Sequence, residues 1–191
     1  MTRNLYIFLL FCMCLFGNLQ AQLSLSGQFV TLSGDDSGDL DIELRDANGN
    51  MISTQHAGCG GTYTITGLEV GVDYSIHFSK DNSSPLNGVS TFDMVVISKH
   101  ILGVQPLSNL AALAADIDGD GFTTVIDMIF LRRLILSIIT SFPDGESWLF
   151  VKEGNNFAST SYDIQLSESV TDYNFIIIKK GDVTGNHAGC E

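Results

Sequence analysis

Twelve residues, Asp116-Ile-Asp-Gly-Asp-Gly-Phe-Thr-Thr-Val-Ile-Asp127, constrain this chain more than any other segment. Asp116, Asp118 and Asp120 place carboxylates at the first, third and fifth positions of a short loop, where without a cation they repel one another. Gly121, at the sixth, permits the sharp turn such a loop needs. Phe122, at the seventh, offers its backbone carbonyl. Thr124, at the ninth, can act directly or through water. Asp127, at the twelfth, closes the loop from the start of a helix. All donors are oxygens, and about six to eight oxygens around one ion is calcium chemistry in the EF-hand manner. Magnesium keeps its waters and fits less well. The departure from the usual pattern is Asp127, one methylene shorter than the customary bidentate Glu. The rival reading is an acidic, solvated turn that caps a helix, because Asp also suits a helix start.

A degenerate copy precedes it. Asn87-Gly-Val-Ser-Thr-Phe-Asp-Met, running on to His100-Ile-Leu, parallels Asp120-Gly-Phe-Thr-Thr-Val-Ile-Asp-Met, running on to Leu134-Ile-Leu, as an internal duplication would. Counting back from Asp93 puts Leu86 at the fifth loop position, and its side chain cannot bind metal. An irregular second site of Asp81, Asn82, Asn87, Ser90 and Asp93 is one reading; a structural turn with Asp93 as helix cap is the other. Helices are expected at Asp93–Leu102 and Asp127–Ile139. The second is apolar nearly all round apart from Arg132 and Arg133, which points to burial on more than one face. A third fragment, Asp182-Val-Thr-Gly-Asn186, resembles the opening of such a loop but stops short, and reads as a polar tail.

The flanks read as β structure. Gln28–Leu32 and Leu40–Arg45 alternate apolar and polar residues. Asp46-Ala-Asn-Gly-Asn50 is a turn, and Met51–Gln55, Tyr63–Thr66 and Val72–Phe78 are further strands. Trp148–Val151, Tyr162–Leu166 and Tyr173–Ile178 are three more, the last a β-branched run. About sixty residues is marginal for an independent core, so the C-terminal strands are expected to complete the sheet. The fold class is therefore α+β, a small immunoglobulin- or transthyretin-like β-sandwich with a pair of loop–helix units. The expected divisions are residues 1–21, 22–80, 81–140 and 141–191. Residues 1–21 carry a short basic start, an apolar run from Leu5 to Phe16 and a small residue at Ala21, the pattern of a secretory signal, too short to favour a membrane span. Cys59 and Cys190 would then meet an oxidising compartment, where they either pair or stay apart as thiols.

With 22 acidic against 9 basic residues the chain carries a formal charge of −13. That excludes a phosphate-neutralising surface and with it a nucleic-acid partner. Catalytic motifs are missing from the sequence: there is no His-Glu-x-x-His and no nucleophile elbow, and the four histidines, His56, His77, His100 and His187, are scattered. The reading is a non-catalytic protein.

The duplicated calcium loop and the helices ending in Ile-Leu pairs resemble the dockerin family. Asp116–Leu136 is similar to one repeat and Asp81–Gly103 loosely to a second. Gly88–Gly103 looks like the version in secreted proteins of Bacteroidetes-type bacteria, in which a small β domain often comes just before. Phe175–Gly185 resembles the segment that closes the module there. The resemblance implies calcium binding and docking to a cohesin-like partner in extracellular or cell-surface, polysaccharide-degrading assemblies. It implies recognition through a pair before the last calcium ligand, here Val125 and Ile126 or Thr91 and Phe92. It implies a second pair along each helix, here Arg132 and Arg133 or Ser98 and Lys99. The usual hydroxyl pair is missing from the better repeat. A second reading follows: Val125 and Ile126 pack inside, and the repeats are a calcium-stapled structural or adhesive unit without a cohesin-like partner. A glycan-binding role is a minor third, favoured by an exposed Trp148.

Overall fold

The computed structural model describes residues 22–81 and 85–187. The signal-like segment 1–21, Asn82 of the irregular second site and Cys190 lie outside the described residues. Cys59 is disulfide-bonded. In chain order the elements are β1 (Leu23–Thr31), β2 (Leu40–Asp46), β3 (Met51–Ala57), β4 (Thr62–Leu68), β5 (Asp73–Lys80), α1 (Thr91–Ile101), α2 (Asn109–Ala115), α3 (Val125–Ile135), β6 (Trp148–Lys152), β7 (Ser161–Gln165) and β8 (Phe175–Lys179). Among the described residues no helix is long and apolar enough to cross a membrane.

The strands form two four-stranded sheets, ordered β4-β1-β8-β6 and β3-β2-β5-β7. The β2–β3 hairpin turns where the sequence says it must. Asp46 Oδ1 accepts from the amides of Asn48 and Asn50 at 2.9 and 2.8 Å, and Gly49 takes φ +81°. The alternation in β2 puts Leu40, Ile42 and Leu44 on the inner face. They share the core with Phe78 and Tyr162 of their own sheet and with Phe29, Phe150 and Phe175 of the facing one. Phe175 lies at the centre of that aromatic cluster, edge-on to Phe78 at 4.6 Å and stacked on Phe29 at 5.7 Å between centroids.

The C-terminal strands do complete the sandwich: β8 runs parallel to β1 and antiparallel to β6, while β7 pairs with β5. The Phe-Ile-Ile-Ile run of β8 does not alternate because both of its faces are covered. Phe175 and Ile177 face the inter-sheet core. Ile178 and Ile176 face a second core with Val151, Ile97, Ala114, Ile117, Leu131 and Leu134, beneath the three helices. The molecule is thus layered sheet, sheet, helices.

Three expectations need correction. The Ala-rich helix α2 was not expected; its seven residues are too few for a periodic apolar stripe to register. The last helix is not buried on more than one face. Leu131 and Leu134 are buried, whereas Val125, Ile126, Ile129 and Leu136 are exposed, so the second reading, in which Val125 and Ile126 pack inside, does not hold. Finally, α3 stops at Ile135 rather than Ile139, because it ends in a Schellman turn: Ile138 N donates to Arg133 O and Ser137 N to Leu134 O. Helix α1 closes identically, with Val104 N to Lys99 O and Gly103 N to His100 O.

The left-handed position of that turn is Gly103 (φ +68°) after α1 but Ser137 (φ +56°) after α3. A side chain there carries a penalty of about 1–2 kcal/mol, partly offset by the chain entropy that glycine adds to the unfolded state. Ser137→Gly is therefore expected to stabilise the protein by about 0.5–1 kcal/mol, read as a higher urea midpoint at unchanged slope.

Candidate metal centre

The loop starts where α2 ends. Asp116 is the C-terminal cap of α2, and Ile117 drops into the helical core fully buried. Between these anchors and α3 the chain wraps around the Asp116 carboxylate. Its Oδ1 accepts from the amides of Gly119 (2.9 Å) and Asp120 (3.1 Å), and its Oδ2 from Gly121 (2.8 Å). Gly119 and Gly121 take φ +76° and +88°, which only glycine adopts freely. Asp116, Asp118 and Asp120 each aim a carboxylate oxygen at one point, all within 4.8 Å of one another. At that separation each pair of charges repels by about 1 kcal/mol in water and by about 3 kcal/mol in the effective dielectric near a protein surface. A divalent cation turns that cost into attraction, so the donor set fits calcium.

Asp127 also ties the loop together. It is fully buried; Oδ1 accepts from the amides of Ile117 (2.7 Å) and Asp118 (3.3 Å), and Oδ2 from the amide (2.7 Å) and hydroxyl (3.2 Å) of Thr124. One carboxylate thereby ties the loop's beginning to its end and completes a capping box on α3. The Thr124 hydroxyl also accepts from Ile126 N, so it is occupied with the cap. The Phe122 side chain points into solvent.

The residues proposed for an irregular second site are arranged otherwise. Ser90 and Asp93 form a capping box on α1, with Ser90 N and Oγ both 2.9 Å from Asp93 Oδ2. The other Asp93 oxygen accepts from Val183 N (3.1 Å) and Thr184 Oγ1 (3.2 Å), ninety residues along the chain. Asp81 uses its backbone carbonyl to accept from Trp148 Nε1. The segment Asp182–Asn186, read from the sequence as a polar tail, is not one: Asp182 and Val183 are buried, and Asp182 is wrapped by amides. Nothing in the segment's own hydropathy signalled this; its likeness to a loop opening was the one available clue.

Burial is the main influence on Asp116 and, with the Asp127 charge, lifts its carboxyl above the ordinary aspartate value despite the amides it accepts from. Burial also works against charge at Asp182. There the hydrogen bonds from the His187 ring and amide, from Thr184 and from Asn186 outweigh it and hold the carboxyl low.

Of the residues expected to meet a partner, Arg132, Arg133 and Lys99 are exposed and Ser98 is half-buried. Met94, Val95 and Ser98 of α1 face Met128, Arg132 and Ile135 of α3 and its cap residue Leu136 across an open groove of about 460 Å³. Trp148 is buried beneath Lys179 and Lys80, which sit 4.4 and 5.0 Å from its ring centroid, so it offers no platform to a sugar.

Comparison with known proteins bears on this region. Residues 87–136 match the family model of the Dockerin type I domain. The two main helices and the loop between them are thus a dockerin-type module, and calcium is its cofactor. No curated protein matches the chain. Among solved structures, a pilus-presented adhesin is similar at 12% identity and a TM-score of 0.29, over 85% of this chain. The chain spans 28% of that protein's length, and a likeness of that size supports no conclusion.

The raised Asp116 carboxyl fixes the sign of a pH effect. A folded-state value above the unfolded one means that protonated Asp116 favours folding, and that this contribution is lost as pH rises through the folded value. Calcium must expel that proton. The gain in melting temperature given by calcium over chelator is therefore expected to be largest near about pH 7 and to shrink toward about pH 4. Melts in both conditions across that range check it.

Proposed function

We propose that this chain is a secreted or cell-surface, non-catalytic docking protein. In this reading one calcium ion is held by Asp116, Asp118, Asp120, the Phe122 carbonyl, Thr124 through water, and Asp127. The ion fixes α3 against α1, and the two helices present one face to a cohesin-type partner. The observation that carries the reading is the pseudo-symmetric groove between α1 and α3. Asp93 and Asp127 stand 34 positions apart, and the same offset relates Met94 to Met128, Ser98 to Arg132 and Leu102 to Leu136. Around it Phe92, Val95, Leu102, Val125, Ile126, Ile129 and Leu136 are all exposed. Monomeric proteins rarely leave so many large apolar side chains side by side on one surface unless something covers them. Arg132, Arg133 and Lys99 rim the patch with positive charge in an otherwise acidic protein, which suits an acidic rim on the partner. An apolar centre with a charged margin is how docking surfaces are built. The polysaccharide-degrading setting that the dockerin resemblance implies belongs to this proposal as well.

Two measurements test it. In calorimetry with calcium the protein is expected to bind and to melt higher, gaining about 2.7 kcal/mol at a hundredfold excess over Kd, and Asp116→Ala/Asp120→Ala is expected to lose both. Against a panel of cohesin-type domains, calcium-dependent binding is expected, with Val95→Asp/Ile129→Asp weakening it by at least about 2 kcal/mol, or about thirtyfold. Arg132→Ala/Arg133→Ala is expected to weaken it less and to flatten its salt dependence. Calcium binding with no cohesin-type partner would leave a calcium-stabilised structural or adhesive domain.

A further inference from the structure

Each sheet has two edges, and three of the four are blunted. Along β6, Phe150 O accepts from Ser159 N and from the Tyr162 hydroxyl, so the segment that enters β7 lies across that edge. β7 is five residues long and carries Asp163. β4 shifts register against β1 and takes φ +81° at Gly67, which breaks its line. β3 has none of this protection. Its seven residues, Met-Ile-Ser-Thr-Gln-His-Ala, include no Asp, Glu, Lys, Arg or Pro. Over residues 51–56, among the described residues, its backbone bonds only across to β2. Met51 and Ile52 are 62% and 52% exposed, and Ser53, Thr54 and His56 are exposed with them. The strand's one irregularity, a register shift opposite Leu44 and Arg45, lies at its first residues and leaves residues 53–57 regular. An open, uncharged edge of this length is a template for another strand.

Charge decides which strand fits. The chain carries a formal −13, so a second copy is repelled from most of its surface. β3 itself adds nothing to that repulsion. The acids beside it are Asp41 and Glu43 on β2, opposite His56 and Thr54, and Asp39, which also lies against the His56 ring. With β3 joined to β3, the two β2 strands stand three strand spacings apart, about 14 Å. Salt at physiological strength screens charges over about 8 Å, so the acidic rows of the two copies interact little. A foreign strand finds no charge on β3 to select it.

We infer that β3 is a self-association edge, on which two copies of this chain pair β3 to β3, antiparallel about a two-fold axis, and merge their β3-β2-β5-β7 sheets into one. Full overlap of the seven residues puts the axis at Thr54, which then faces its own copy. Ser53 faces Gln55, and Ile52 faces His56, of the second copy. Thr opposite Thr is a favourable cross-strand pair. The contact is small, below about 1,200 Å², so the dimer forms and dissociates with concentration. β3 belongs to the sheet that does not carry the helices, so both α1–α3 faces stay open in the dimer. The pairing does not depend on the docking proposal; if both hold, one dimer presents two docking faces and gains avidity on an array of partners.

Sedimentation equilibrium over a wide concentration range tests the inference on the purified protein, on Thr54→Lys and on Val95→Asp/Ile129→Asp. Thr54→Cys, Thr66→Cys on β4 and Asp163→Cys on β7 are oxidised in parallel. Thr54→Lys sets two like charges at the axis, and because Thr54 is exposed the melting temperature is expected to hold. A reversible dimer is expected, weakened on the order of tenfold or more by Thr54→Lys and unmoved by the helix-face variant. Thr54→Cys alone is expected to give a disulfide-linked dimer, since only at the axis do the two Cα atoms come within the span of about 4.4–6.8 Å that a disulfide bridges. A monomer at every concentration would overturn the inference; protection of the β3 amides from exchange by a cohesin-type domain would then give the edge to a foreign strand. Equal cross-linking at all three positions would overturn it as well. A dimer kept in Thr54→Lys and lost in Val95→Asp/Ile129→Asp would place the helix face between copies and count against the docking proposal too. An intact β3 dimer that binds no cohesin-type domain would count against the docking proposal alone.

Discussion

Strand β8 is the constraint on which the other layers depend. Its four apolar residues divide between two cores: Phe175 and Ile177 fill the space between the sheets, and Ile176 and Ile178 floor the helices. A strand buried on both faces contributes roughly twice the apolar area per residue of a half-exposed one, at about 25 cal/mol per Å² removed from water. Because β8 lies between β1 and β6, it also joins the N-terminal half of the chain to the C-terminal half in one sheet. The sandwich cannot close without it, and the helices have no floor without it. The residues that leave its end, Lys179 to Val183, run directly under α1 and α2, where Gly181 N donates to Ala114 O.

At the starts of α1 and α3 charge is handled by position: the two buried carboxylates there accept from backbone amides and hydroxyls. Asp93 and Asp127 are wholly buried carboxylates, each at the third position of a helix and each receiving four hydrogen bonds. A buried carboxylate without donors would cost several kcal/mol; donors of this kind and the positive end of a helix dipole offset it. Each Asp therefore acts as a rivet. It fixes where its helix starts and what segment lies across that start. For α3 the segment is the loop immediately before it. For α1 it is Val183-Thr184, delivered by β8. The symmetry of the two helices thus rests on two different chain routes to the same local chemistry.

Much of this was legible in the residues. The strands fell where alternation and turn chemistry put them, because a sheet with one buried face imposes a period of two. The Asp116–Asp127 loop was legible because its donors and its glycine follow one another in sequence. Asp182 was misread for the opposite reason: the segment it opens packs against Gly88 and Asp93, and no local pattern records a contact across nearly a hundred residues. The outer face of α3 was misread as core because apolar residues all round a helix ordinarily mean burial. Here they mean that the chain by itself does not bury them.

That exposed face and the carboxylates are linked through the helix starts. Val125, Ile126, Thr91 and Phe92 occupy the first turns of α3 and α1, one or two residues from the buried Asp127 and Asp93. Whatever seats those carboxylates sets the direction of the first turn and hence the aim of the apolar side chains on it. The groove between α1 and α3 is lined from both helices, so its width follows from two loop geometries rather than one. A cation in the Asp116–Asp127 loop would hold the start of α3 in place, and would do so without adding a contact to the docking face itself. Differential affinity for the ordered arrangement is the only means by which an ion can bias such a surface. By reciprocity a partner that prefers that arrangement must tighten the ion in turn.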